Sequence, residues 1–147
     1  MNGPERSGGP GVGDDWRDQR ARAVAHHGAE LNRRREAEAA RAQELIAEFI
    51  AAAQRANLTP EPLRARSYSG RSYRTPLRGW YLNPARTIAI SEEGEYYSLL
   101  VPSSARALIA GADPSPSAPR LIVGEGARDG ESMPLADLLQ RLLKGSG

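Results

Sequence analysis

Apolar residues recur at Ala42, Leu45, Ile46, Phe49, Ile50 and Ala53, the spacing that lays one stripe along a helix. Such a stripe has to be buried against something. The stretch before it, from Asn32 to Glu38, has no stripe, only charges that can pair at i+4, such as Glu30 with Arg34 or Arg34 with Glu38. From Asp14 to Asn57 there is no proline, and Gly28 alone interrupts a run rich in Ala, Arg, Glu and Gln. One long helix, or two meeting near Gly28, is predicted, its first part a charged arm projecting into solvent. Asn57, which tolerates a left-handed backbone, and Pro60 after it mark the helix end.

Beyond Pro62 the period changes from about 3.6 to about 2. Leu63, Ala65 and Ser67 alternate with Arg64, Arg66 and Tyr68, the pattern of a half-buried strand that sets the second trio on one face. Strand-like runs follow at Gly79 to Leu82, Thr87 to Ser91 and Glu95 to Val101, separated by turns at Asn83-Pro84 and at Glu92 to Gly94. Short connections make antiparallel neighbours, so these strands form a meander. A short helix started by Ser103 or Ser104, carrying Leu108 and Ile109, stops at Gly111. An exposed proline-rich loop, Asp113 to Pro119, leads to a strand at Arg120 to Val123. Leu135, Leu138, Leu139, Leu142 and Leu143 then stripe a closing helix ended by Gly145, with Asp137 early and Arg141 and Lys144 late, as the helix dipole favours.

The expected fold class is α+β: an antiparallel β-meander sheet with amphipathic helices before and after it, covering one face, plus a long charged N-terminal helical arm. Residues 1–13 hold five glycines and two prolines and read as a disordered tail, residues 14–41 as the arm, and residues 42–147 as the compact domain. The expected core is Leu45, Ile46, Phe49, Ile50, Trp80, Leu82, Ile88, Ile90, Leu99, Val101, Ile122, Leu138, Leu139 and Leu142.

Composition narrows the chemistry. With no Cys, disulfides, thiolate nucleophiles and Cys-ligated metals are excluded. The N-terminus lacks an apolar signal region, and the run Leu45 to Ala53 is too short to cross a bilayer, so a cytoplasmic chain without membrane contact is expected. Of the 20 basic residues only Lys144 is lysine, a bias of GC-rich bacterial genomes that carries no functional weight. The net charge of +2 is uneven: residues 61–90 carry six arginines against Glu61 alone, and residues 91–147 are acidic.

That basic block supplies the sharpest candidate site. Arg64, Arg66, Arg71, Arg74 and Arg78 can neutralise phosphates while Tyr68, Tyr73 and Tyr81 stack on bases. The competing readings are a solvated strand near a sheet edge and a basic surface turned toward the acidic third of the same domain. Trp16 with Arg33, Arg34 and Arg35 on the arm form a candidate protein-partner site, since Trp is enriched at interface hot spots. The other motifs carry no site. The glycines from Gly124 to Gly130 miss the dinucleotide spacing, and Glu125, Asp129 and Glu131 would repel a phosphate. His26 and His27 are adjacent on a helix and point apart, so no metal is expected. Glu92, Glu93 and Glu95 sit at a turn, where carboxylates stay exposed. The expectation is a non-catalytic binding or adaptor domain with no catalytic residues and no cofactor, whose partner is another protein. The alternative is nucleic-acid or polyanion binding through the arginine block.

Overall fold

The computed structural model describes residues 3–124 and 132–145, with side chains from Asp14 onward. The glycine loop from Glu125 to Glu131 lies outside the described residues. A single helix, α1 (Gly3–Arg55), passes Gly28 without a break and begins within the stretch whose composition points to a tail. Its end follows the sequence signal: Asn57 adopts φ 57° and the Leu58 N–H donates to the Ala53 carbonyl at 2.9 Å. The chain divides into two compact units, Met1–Ala37 and Glu38–Gly147.

In the first unit the described side chains are almost all exposed, including Trp16 and Val24. Glu30 pairs with His26 at 3.2 Å rather than with Arg34. Glu38, the other expected i+4 partner of Arg34, instead takes the Leu121 N–H at 2.9 Å and lies 3.6 Å from Arg120, within the second unit.

The second unit holds β1 (Glu61–Ser67), β2 (Ser72–Tyr81), β3 (Ile88–Ser91), β4 (Tyr96–Ser98), β5 (Leu100–Val101), α2 (Ala105–Ala110), β6 (Ile122–Val123), β7 (Met133–Pro134) and α3 (Leu135–Gly145). The class is α+β, with a five-stranded sheet in the order β4-β3-β2-β1-β5 and a small β6-β7 pair. Strands β1 to β4 are the expected antiparallel meander, but the sheet is mixed, because β5 runs parallel to β1.

The single strand expected from Glu95 to Val101 is therefore two strands that pair at opposite edges of the sheet. Flat, those edges would stand about 19 Å apart, four spacings of about 4.8 Å. Yet Leu99 alone separates β4 from β5. Its N–H donates to Thr87 at 2.7 Å and its carbonyl accepts from Arg66 at 2.8 Å, so one residue bonds to both sides and the sheet must curl until its edges approach there. Leu99 itself is fully buried with Leu63, Ala89 and Tyr97 inside the curl.

The outer face of the curled sheet is covered over half its extent. Ala42, Ile46, Phe49 and Ala53 of α1 and Leu135, Leu138 and Leu139 of α3 share one core with Trp80, Leu82, Ile90 and Tyr96. Both amphipathic helices thus lie on the same face, and Phe49 meets Trp80 edge-on at 5.1 Å. Ile122, expected in the core, is 37% exposed, because in the two-residue strand β6 it is Val123 that points inward. On α2 the residue that packs inward is Ala107, not Leu108 or Ile109, which are exposed.

Candidate polyanion-binding face

Alternation along β1 turns Leu63, Ala65 and Ser67 inward and leaves Arg64 and Arg66 in solvent. The same alternation along β2 buries Tyr73 and exposes Arg74, Pro76 and Arg78. The two strands align Arg64 with Arg74, Arg66 with Ser72 and Pro62 with Arg78. Between the last two pairings lies an irregularity, where Thr75, Pro76 and Leu77 stand opposite Leu63 alone. The Thr75 hydroxyl donates to the Leu63 carbonyl at 2.5 Å and accepts from the Leu77 N–H at 3.1 Å, and Pro76 falls where no ladder donor is required. The Arg64 N–H, displaced from the ladder, donates to the Tyr81 hydroxyl at 2.8 Å.

The result is an outward face carrying Arg64, Arg66, Arg74 and Arg78. The next outward position on β2 is Trp80, already beneath α1, so the face is the half of the sheet that the helices leave uncovered. Its guanidinium groups turn to neutral acceptors. Arg64 donates to Ser72 Oγ at 2.6 Å, Arg74 to the Ile109 carbonyl at 3.3 Å and Arg78 to the Pro60 carbonyl at 3.0 Å. Among the described residues the ion pairs are His26–Glu30, Arg41–Glu44 and Arg120–Glu38, and none involves an arginine of residues 61–90. The acidic third therefore does not neutralise this face among the described residues.

Four of the sequence-predicted residues lie off the outward strand face. Tyr73 is buried to 1% exposure, packed with Ala65 and Ala107 and unable to stack on a ligand. Its position follows from the alternation, and small Ala65 across the strand makes room for the ring. The Ser104 N–H donated to its hydroxyl at 3.1 Å holds the Tyr73 pKa below its ordinary value against the opposing effect of burial. Tyr81 is half-buried, with Arg86 stacked 5.1 Å over its ring. Arg71 falls in the β1–β2 connection and lines a separate cavity. Tyr68 lies in the same connection, beyond the end of β1, and is 77% exposed. Ser72, which orients Arg64, was not anticipated, since a lone serine in a sequence signals nothing about an arginine eight residues away.

On the first unit Trp16 is 60% exposed with Arg20 over its ring at 5.2 Å, and Arg33, Arg34 and Arg35 are all exposed. Among the described residues no Asp, Glu, Lys, Arg or His is buried, and no cluster of His, Asp or Glu is arranged to take a metal. Among the described residues no helix is long and apolar enough to cross a membrane. Comparison with protein-family models, with curated proteins and with solved structures finds no match for this chain.

Proposed function

We propose that this chain is a binding module for single-stranded nucleic acid, which it contacts through Arg64, Arg66, Arg74 and Arg78. The observation that carries the reading is the cross-strand pair Arg64–Arg74, which among the described residues forms no ion pair with a carboxylate. Like charges directly opposite on neighbouring strands destabilise a sheet, and an anionic ligand relieves that repulsion. Arg64 and Arg66, two residues apart on one strand, stand about 6.7 Å apart along it, and both can meet successive phosphates of an extended chain. Exposed Tyr68 at the end of the hairpin offers a ring on which one base can stack. A duplex suits the face less. The hairpin could enter a major groove only as a free ribbon, and its margins are occupied by β5, which pairs with Arg66, and by the segment after α2, whose Ala112 N–H donates to Arg74 at 2.7 Å.

The test is fluorescence anisotropy with labelled single- and double-stranded DNA and RNA across a salt series. Four phosphate contacts give a slope of log K against log salt near about −3 for a single strand. The double variant Arg64→Ala/Arg66→Ala lowers that slope by about 1.4. No binding at low salt, or a double variant that binds like the parent, overturns the reading.

A second reading rests on the first unit. Trp16, Val24 and Leu31 are exposed apolar side chains on an otherwise charged helix, and with Arg33, Arg34 and Arg35 they would engage another protein. Cross-linking of the full chain that is lost on Trp16→Ala supports that adaptor role, and unchanged cross-linking removes it.

A further inference from the structure

The connection between β1 and β2 brings hydroxyls together from two distant parts of the chain. Ser67, 2% exposed, shares a hydrogen bond with Ser69 at 2.9 Å, and Ser69 shares one with Ser103 at 3.1 Å. Ser67 Oγ also accepts the Arg71 N–H at 3.0 Å, which ties the buried end of the chain to the backbone of the turn. Ser103 lines a cavity of about 310 Å³ together with Arg71, Tyr73, Ser104, Ala105 and Leu108. Among the described residues that lining contains no carboxylate. The Arg71 guanidinium makes no hydrogen bond or ion pair among the described residues. The cavity thus presents one cation with no carboxylate in the lining and the Ser103 hydroxyl on one side, and on the other the half-exposed apolar surface of Leu108.

We propose that this cavity binds a phosphomonoester of mononucleotide size, its phosphoryl group held by Arg71 and Ser103 and its apolar body lying on Leu108. A phosphoryl group accepts hydrogen bonds from several directions at once, which suits donors converging from the hairpin and from the loop before α2. The volume sits at the small end of ligand sites, enough for a nucleotide and more than a bare anion needs. The site is separate from the arginine face, since it is bounded by Tyr73, which faces inward, and it stands whether or not that face binds a strand. The nucleotide can be free in solution or the terminal residue of a strand, and the chemistry is the same.

Amide NMR of the full chain titrated with AMP, adenosine and inorganic phosphate tests the proposal. AMP shifts the amides of Arg71, Ser103, Ser104 and Ala105, adenosine does not, and phosphate shifts the same amides more weakly. Arg71→Met, whose side chain has no partner to lose, keeps the parent's melting curve and binds AMP about tenfold more weakly or worse. A 5′-phosphorylated oligonucleotide that competes with AMP, where its 5′-hydroxyl counterpart does not, identifies the strand end as the source, and AMP binding without such competition identifies the free nucleotide. Equal shifts from adenosine and AMP, an Arg71→Met variant with unchanged AMP affinity, or no shift with AMP overturns the proposal.

Discussion

Replacing Arg74 by Glu separates the face's contribution to folding from its contribution to binding. Arg64 and Arg74 are direct cross-strand partners, and their heads turn apart, one to Ser72 and the other to Ile109. Because the heads have splayed in solvent, the repulsion is only a few tenths of a kcal/mol, and reversing one sign yields about 0.2–1 kcal/mol of cross-strand attraction. The lost bond to the Ile109 carbonyl is long, and its removal subtracts about 0.5 kcal/mol. Arg74→Glu should therefore unfold in urea at the same midpoint as the parent or slightly above it, with an unchanged slope. Binding moves the other way: one phosphate contact disappears and a carboxylate faces the strand, so the salt slope for a single strand falls by about 0.7–1.4. Urea melts followed by Trp80, which leaves the core on unfolding, and anisotropy on the same samples give both quantities. A variant whose midpoint and affinity fall together would show that these arginines serve the fold, and one whose affinity is unchanged would remove Arg74 from the face.

Gly79→Ala puts a Cβ 2.7 Å from Ser91 Cα and against the Ile90 carbonyl, backbone that the β2–β3 ladder holds in place, so it destabilises by about 1–3 kcal/mol in a urea melt. The same exchange at Gly28, where a Cβ meets nothing within 4 Å, raises the helical circular dichroism signal. Leu99→Ala, at a fully buried site, lowers stability by about 2.7–5.0 kcal/mol, and a loss below about 1 kcal/mol would show that the curl does not depend on that side chain. Burial pushes the pKa values of Tyr96 and Tyr97 up, the latter helped by Glu95, so their neutral forms favour the fold. That stability is complete below the unfolded value of 10.0 and is lost as pH rises through the folded ones, so urea midpoints hold up to about pH 10 and fall above it, less steeply in Tyr97→Phe.

Local rules carried the reading of α1, β1 and the turn at Asn83, because each is decided by near neighbours. The Asn83 carboxamide takes the Thr87 and Ile88 N–H groups at 3.0 and 3.1 Å, a short-range motif that a sequence displays openly. What escaped was set by pairing at a distance. The second strand-like run was expected only from Gly79, yet β2 starts at Ser72, because the irregularity opposite Leu63 gives Pro76 a place without a ladder donor. Nothing in the run from Tyr96 to Val101 announces that its two halves bond to opposite edges, since that depends on how far the sheet curls. The arginine face was half legible for the same reason. Period two assigned Arg64 and Arg66 correctly, but Tyr73 looked like a stacking residue until the inward parity of β2 was known.

The curl also explains why a basic face exists on this sheet. The curl buries the inner side of β1 and β2, with Leu63 against Ala89, Tyr97 and Leu99 and with Ala65 and Tyr73 against Ala107 of α2, so their outer side is not needed to complete that core. The β3–β4 half has apolar residues on both faces, Ala89 and Tyr97 inward and Ile90 and Tyr96 outward, and it takes both α1 and α3 to cover the latter. The available helical surface is thereby committed to one half of the sheet. Outward positions on β1 and the first part of β2 are released from any packing demand, and four of them are arginine. Neutral or mixed-charge residues would satisfy the fold at those positions equally well or better, given the repulsion between Arg64 and Arg74. Under the proposed function those four arginines meet a ligand bearing regularly spaced negative charge, which also offsets the repulsion between Arg64 and Arg74.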